Sequence, residues 1–244
     1  MARRPFERPH SRWRESARWS TRDASLMTTP ASSSIATDII RSEAELREIF
    51  AQPSKGAVNK QIDHLDDHCE AFIAHAPFLV FATTNPDGSG DASPKGGPPG
   101  FVKVLDRHHL AMGELPGNNR LDGYRNVVRD PRVGLLFLIP GVGETLRVNG
   151  TAVVARDPAI LAKCAIDEKL PKVALVVKTN EVFIHCAKAI RRSHLWDHEN
   201  WPDTTTMPTV ACMLVTHTGA PGDPDGSRTA ASLEAAYVKT MWNE

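Results

Sequence analysis

Between Phe78 and Gly150, segments of strand length alternate with clusters of turn-forming residues, and this spacing constrains the fold more than any other feature of the chain. Phe78 to Thr83 is a mostly apolar run, Asn85-Pro86-Asp87-Gly88 turns it, and Asp91 to Lys95 returns as the second arm of a hairpin. Phe101 to Leu105 and His109 to Met112 pair about the turn Asp106-Arg107-His108. The apolar run Val133 to Ile139 turns at Pro140-Gly141-Val142-Gly143 into Glu144 to Ala155, and Val173 to Val177 and Val182 to Ile184 add two further strands. Many short strands at close spacing predict a barrel, so the fold class is mainly β with flanking helices.

Helices are expected around this core. From Ile39 to His75 the apolar positions Leu46, Ile49 and Phe50, then Ile62, Leu65, Phe72 and Ile73, recur at helical spacing, with Pro53-Ser54-Lys55-Gly56 as a break. Two helices within residues 35–76 are therefore expected to pack on a barrel of residues 77–200. A helix over Leu121 to Arg129 presents Leu121, Tyr124 and Val128 on one face, with Asn118 and Asn119 as cap candidates; another starts at Asp157-Pro158 and runs to Ile166. Residues 201–244 read as a surface loop ending in a short helix from Ser232 to Met241. Residues 1–34 hold seven arginines against three acids, show no periodicity, and read as a disordered basic arm in which Met27 offers a second start.

The formal net charge is zero, from 29 basic and 29 acidic side chains, which provides no global field for nucleic acid or an anionic membrane. No stretch of about 18 apolar residues is present, so no membrane span is expected and the cytoplasm is the expected location. Cys69, Cys164, Cys186 and Cys212 show no C-x-x-C spacing and read as reduced thiols. His64 and His68, four apart, could share a helix face, but the glutamate of an H-E-x-x-H site is missing, so no metal is expected.

The chemistry concentrates in two loops. Ser93-Pro94-Lys95-Gly96 puts a hydroxyl and an ammonium at the end of a strand, followed by glycines whose amides can approach a ligand closely. Gly117-Asn118-Asn119-Arg120-Leu121-Asp122 opens a helix and adds a guanidinium. Amide donors at a helix N-terminus with a lysine and an arginine make a cradle for a phosphate dianion. Arg120 alone could equally pair with Asp122 or Asp130.

The ordered motifs S-P-K-G, G-N-N-R-L-D, R-D-P-R-V-G-L-L-F, E-T-L-R-V-N-G and F-I-H-C-A-K-A-I-R-R-S-H-L-W, over residues 38–200, resemble the pyridoxamine 5'-phosphate oxidase-like family of FMN-binding split barrels, in particular an uncharacterised bacterial subgroup. The resemblance implies a homodimer with FMN in a groove at the interface. It implies that Ser93, Pro94, Lys95 and Gly96 from the strand, and Asn118, Asn119 and Arg120 from the loop, hold the phosphate. Arg147 matches an arginine near the ring or substrate, whereas Thr145 stands where the family often carries a glutamine. Lys188, Arg192 and Trp196 match residues that reach across to the partner's flavin, the tryptophan offering a flat surface to the ring. The arginine- and tryptophan-bearing segment with which true pyridoxamine phosphate oxidases end is not found here, so vitamin B6 oxidation is not expected.

These features lead to an expected flavin-dependent oxidoreductase that moves hydride between a nicotinamide donor and a small acceptor through FMN. A non-catalytic protein that binds or senses flavin, haem or deazaflavin is the competing expectation, and for haem His185, His108 and His109 are the candidate ligands. His185 and Cys186 otherwise read as packing residues.

Overall fold

A computed structural model describes residues 36–219, 222–223 and 225–241. The expected basic arm, residues 1–34, lies outside the described residues. The chain divides into two units, Met1–Gln52 and Pro53–Glu244. In the first, helix α1 (Glu43–Ile49) begins where the Ser42 hydroxyl accepts from the Glu45 amide, while the Glu45 carboxylate accepts from the Arg41 amide and the Ser42 hydroxyl. That reciprocal arrangement satisfies donors a helix start leaves open.

In the second unit seven strands form one antiparallel sheet: β1 (Phe78–Thr84), β2 (Gly90–Gly96), β3 (Val102–Asp106), β4 (His109–Gly113), β5 (Arg132–Leu138), β6 (Thr145–Ala155) and β7 (Ala174–His185). Their order is β2-β1-β5-β6-β7-β4-β3, so the sheet stays open between β2 and β3. Alternate residues point inward and are fully buried, among them Leu79, Phe81, Leu110, Met112, Leu135, Phe137, Leu146, Val148, Leu175, Val177 and Val182. Each such side chain contributes about 1.5–3 kcal/mol on leaving water. This is a split β-barrel with flanking helices: the strand spacing predicts the barrel, and the family resemblance implies that it is split.

Helix α3 (Asp67–His75) buries Cys69 and Ile73 against β3 and β6. Helix α4 (Asp122–Arg129) lies on β1, β2 and β6 and buries Tyr124 and Val127. Helix α5 (Pro158–Lys163) starts where the Asp157 carboxylate accepts from the amides of Ala159 and Ile160, as its sequence signal predicts.

Five local expectations need correction. The segment 35–76 holds three helices rather than two: α2 (Lys55–Asn59), capped by Ser54, occupies the supposed break. Ile62 is extended and exchanges backbone hydrogen bonds with Val182, so α3 starts only after Asp66 and His64 shares no helix face with His68. Among the described residues no group of three potential metal ligands converges. Val173–Val177 and Val182–Ile184 belong to one strand, β7, because the polar stretch Lys178–Glu181 continues the pairing with β6 through an irregularity at Asn149 and Gly150. Finally, residues 203–230 are not all loop: α7 (Val210–Thr218) is capped by Thr209, and α8 (Ser227–Thr240) starts earlier than expected. The apolar stretch of α7 is continuous, which hides helical periodicity.

The fifth concerns α4. Leu121 is 45% and Val128 75% exposed, and the buried face is Gly123, Tyr124, Asn126 and Val127. Leu121 adopts left-handed backbone (φ 56) outside the helix, which rotates the expected face. Neither asparagine caps α4: the Asn118 side chain accepts from the Arg120 amide instead.

Candidate functional site

The register of the first hairpin sets the site. Phe81 pairs with Ser93 and Leu79 with Lys95, so Asp91, Ser93 and Lys95 point to the same side as the core residues of β1, but at the open edge of the sheet. There β2, the end of β4, the loop to α4 and α4 itself enclose a cleft of about 450 Å³.

At its floor the Ser93 hydroxyl is buried and, among the described residues, has no hydrogen-bond partner. Leaving such a group unpaired costs about 1–3 kcal/mol, so an acceptor brought to it by a ligand would be favoured. The Lys95 ammonium sits 5.6 Å from the Tyr124 ring centroid and 5.9 Å from that of Phe81. Burial pulls its pKa below the usual lysine range, while the carboxylates of Glu114 and Asp91 oppose the shift. Burial likewise pushes the Tyr124 phenol up.

The loop above this floor is shaped by backbone. Asn119 (φ 57) and Leu121 (φ 56) are left-handed on either side of Arg120, whose own amide donates to the Asn118 side chain. Arg120 is largely exposed and pairs with Asp122 at 2.7 Å, the surface pairing the sequence allowed. Gly123 lets the helix settle on β1, since a Cβ there would lie 2.9 Å from the Phe81 ring.

A buried polar clamp, which hydropathy gave no reason to expect, fixes α4 to the hairpin. The Asn126 side-chain amide donates to Thr83 Oγ1 (3.0 Å), Asn85 Oδ1 (3.0 Å) and Asp91 Oδ2 (3.2 Å), and Thr83 Oγ1 also donates to Asp91. Three carboxylates and two cations line the cleft, but Asp91 is occupied by this clamp and Asp122 by Arg120. The cleft thus brings the Ser93 hydroxyl and the Lys95 ammonium together with the N-terminal end of α4, with Glu114 as the remaining carboxylate.

Of the residues singled out in the sequence, Ser93, Pro94, Lys95, Gly96, Asn118, Asn119 and Arg120 line this one cleft. Arg147, Lys188, Arg192 and Trp196 do not line it within the chain. Arg147 lies over the Phe183 ring at 5.2 Å. Lys188 and Arg192 bound helix α6 (Lys188–Arg192), where Arg192 Nε donates to the Lys188 carbonyl. The Trp196 indole donates to the Val142 carbonyl at 2.8 Å. Glu114, Tyr124 and Asn126 are the site residues that sequence reading missed.

The sequence model of the pyridoxamine 5'-phosphate oxidase family matches residues 65–186. Similar solved structures include HupZ of Group A Streptococcus (15% identity, TM-score 0.40, covering 49% of this chain and 92% of that one). A putative pyridoxamine 5'-phosphate oxidase from Lactobacillus delbrueckii has 25% identity and a TM-score of 0.40, covering 50% of this chain and 95% of that one. A conserved hypothetical protein from Mycobacterium tuberculosis has 16% identity and a TM-score of 0.36, covering 64% and 91% respectively. No curated protein matches the chain.

Proposed function

This chain belongs to the pyridoxamine 5'-phosphate oxidase family of split barrels, and from that premise we propose that it is a homodimeric, cytoplasmic FMN-binding oxidoreductase. The observation that carries the reading is the buried, unpartnered Ser93 hydroxyl beside the Lys95 ammonium, both facing the start of α4. Ser93 donates to a phosphate oxygen, Lys95 supplies charge in a half-buried setting where it is poorly screened, and the amides after Arg120 complete the cradle. FMN held there would supply a two-electron carrier between a nicotinamide donor and a small acceptor.

The chain's own groups position and shield. The Asn126 clamp holds the two halves of the cradle at a constant separation, and Phe81 and Tyr124 keep water from the lysine. Arg147 is assigned to the ring or substrate end, and Lys188, Arg192 and Trp196 to the site of the second protomer. Hydride transfer requires no acid or base from the protein, and none is assigned.

The test is the absorbance spectrum of the purified protein, followed by FMN titration of the wild type and of Ser93→Ala with Lys95→Met. Flavin bands and a loss of affinity of at least about tenfold in the double variant are expected, since charged hydrogen bonds are each worth over 1.4 kcal/mol. A Soret band, or FMN affinity unchanged by the double substitution, refutes the assignment.

A further inference from the structure

The two C-terminal helices, α7 and α8, form a hairpin that packs chiefly on itself. Its turn is built in detail. The buried Asp223 carboxylate accepts from the amides of Arg228 (3.2 Å) and Thr229 (2.9 Å) and from the Thr229 hydroxyl (2.7 Å), which anchors the start of α8. The Cys212 thiol donates to the Asp225 carbonyl at 3.0 Å and ties the turn to α7. Gly226 (φ 70) permits the close approach, since a Cβ there would lie 2.8 Å from the Cys212 backbone nitrogen. The hairpin is a defined unit with an inner and an outer face.

Its apolar side chains are not confined to the inner face. In α7, Ala211 is buried and Cys212 and Val215 partly so, the i, i+1 and i+4 spacing of one side of a helix. Val210, Met213 and Leu214, at i, i+3 and i+4, form the opposite stripe and are 63%, 37% and 39% exposed, and Met207 just ahead of the helix is 54% exposed. On α8, Tyr237, Val238 and Met241 are exposed as well. A helix of nine residues is shorter than the roughly 12–15 at which even good helix formers hold in water, so packing has to maintain α7. Among the described residues nothing covers its outer stripe.

We propose that this stripe is an interface with a second copy of the chain, in which the two α7 helices pack on each other across a twofold axis. Two observations select that occupant. A twofold contact sets a surface against itself, which repels where the surface is charged and gains where it is apolar; α7 carries no Asp, Glu, Lys or Arg. The seven exposed apolar side chains of the hairpin also offer on the order of 700 Å², close to the about 800 Å² that each partner gives to a stable interface. The hairpin lies beyond residues 65–186, the span that matches the family, and the inference stands apart from the flavin reading.

The experiment follows the methionine methyl resonances of the full chain by NMR in the presence of a water-soluble gadolinium chelate, with Met213→Leu to assign the Met213 signal, and measures self-association by sedimentation over a dilution series. Met213 is expected to be shielded from the chelate. Val210→Glu with Leu214→Glu opposes like charges across the axis and is expected to open Met213 to the chelate and to weaken self-association at least about tenfold. The neutral pair Val210→Ser with Leu214→Gln is expected to act in the same direction if the charged variant misfolds, and Met213→Leu to retain association. Ser93→Ala with Lys95→Met is expected to leave both readouts unchanged, which separates this contact from the cleft. A Met213 signal as open in the wild type as in the charged variant overturns the proposal, as does loss of shielding in the cleft variant. A shielded signal with self-association unchanged by the stripe variants also overturns it, because the cover then belongs to the same chain.

Discussion

Lys95 is the side chain on which pH acts most directly at the proposed phosphate site. Burial depresses its folded pKa below the unfolded value, so the folded state carries an unfavourable charge below that folded pKa, and stability rises with pH between the two. Phosphate binding responds in the opposite sense, because it uses the charged form. FMN affinity is expected to fall as pH climbs through the depressed pKa, before an ordinary lysine would titrate; fluorescence titration across alkaline pH measures this, and Lys95→Met should remove the dependence. Cysteine chemistry divides just as sharply. Burial, with Asp66 beside it, raises the Cys69 thiol to about 11, burial also raises Cys164, and Cys186 is exposed. A thiol reagent at mildly alkaline pH is expected to label Cys186 first and to reach Cys69 and Cys164 only on unfolding, as peptide mapping would show.

At the scale of elements, Asn126 joins a helix to a hairpin across 35 positions of sequence, to Asp91. Asn126→Ala is expected to leave Thr83, Asn85 and Asp91 short of a donor and to cost about 1–3 kcal/mol in urea unfolding. FMN affinity should fall in parallel, because α4 and β2 carry opposite halves of the cradle. The clamp also shows what a sequence does and does not disclose. Strands such as Phe78–Thr84 are legible because their residues alternate or run apolar between turn formers, and the lining of the cleft is legible because glycine, asparagine and basic residues cluster in two loops. Asn126 is not, since a polar residue on a short helix is read as solvent-facing until its distant partners are known. The same holds for Lys178–Glu181, which looks like a turn but continues β7, because cross-strand partners on β6 supply what local propensity lacks. Periodicity extends the helical pattern back over His64 because the pairing of Ile62 with Val182 is invisible to it.

For the whole molecule, assembly is the open dimension. The residues expected to complete the flavin site from a second copy, Lys188, Arg192 and Trp196, lie outside the cleft of their own chain, which is the arrangement a shared site requires. Light scattering of the FMN-loaded protein is expected to give twice the 26.7 kDa chain mass. Mixing Lys95→Met chains with Trp196→Ala chains is expected to yield hybrids in which one site is intact and one doubly impaired, a pattern that chains acting alone could not produce. How copies meet is restricted by the order of the strands. β2 is an edge strand, and Pro94 stands in its middle, opposite Val80. A proline there has no N–H to give, so a strand docking on that margin would lack a ladder hydrogen bond at this position. Fibre-like stacking of copies through this edge is thereby disfavoured at a residue that also lines the cleft.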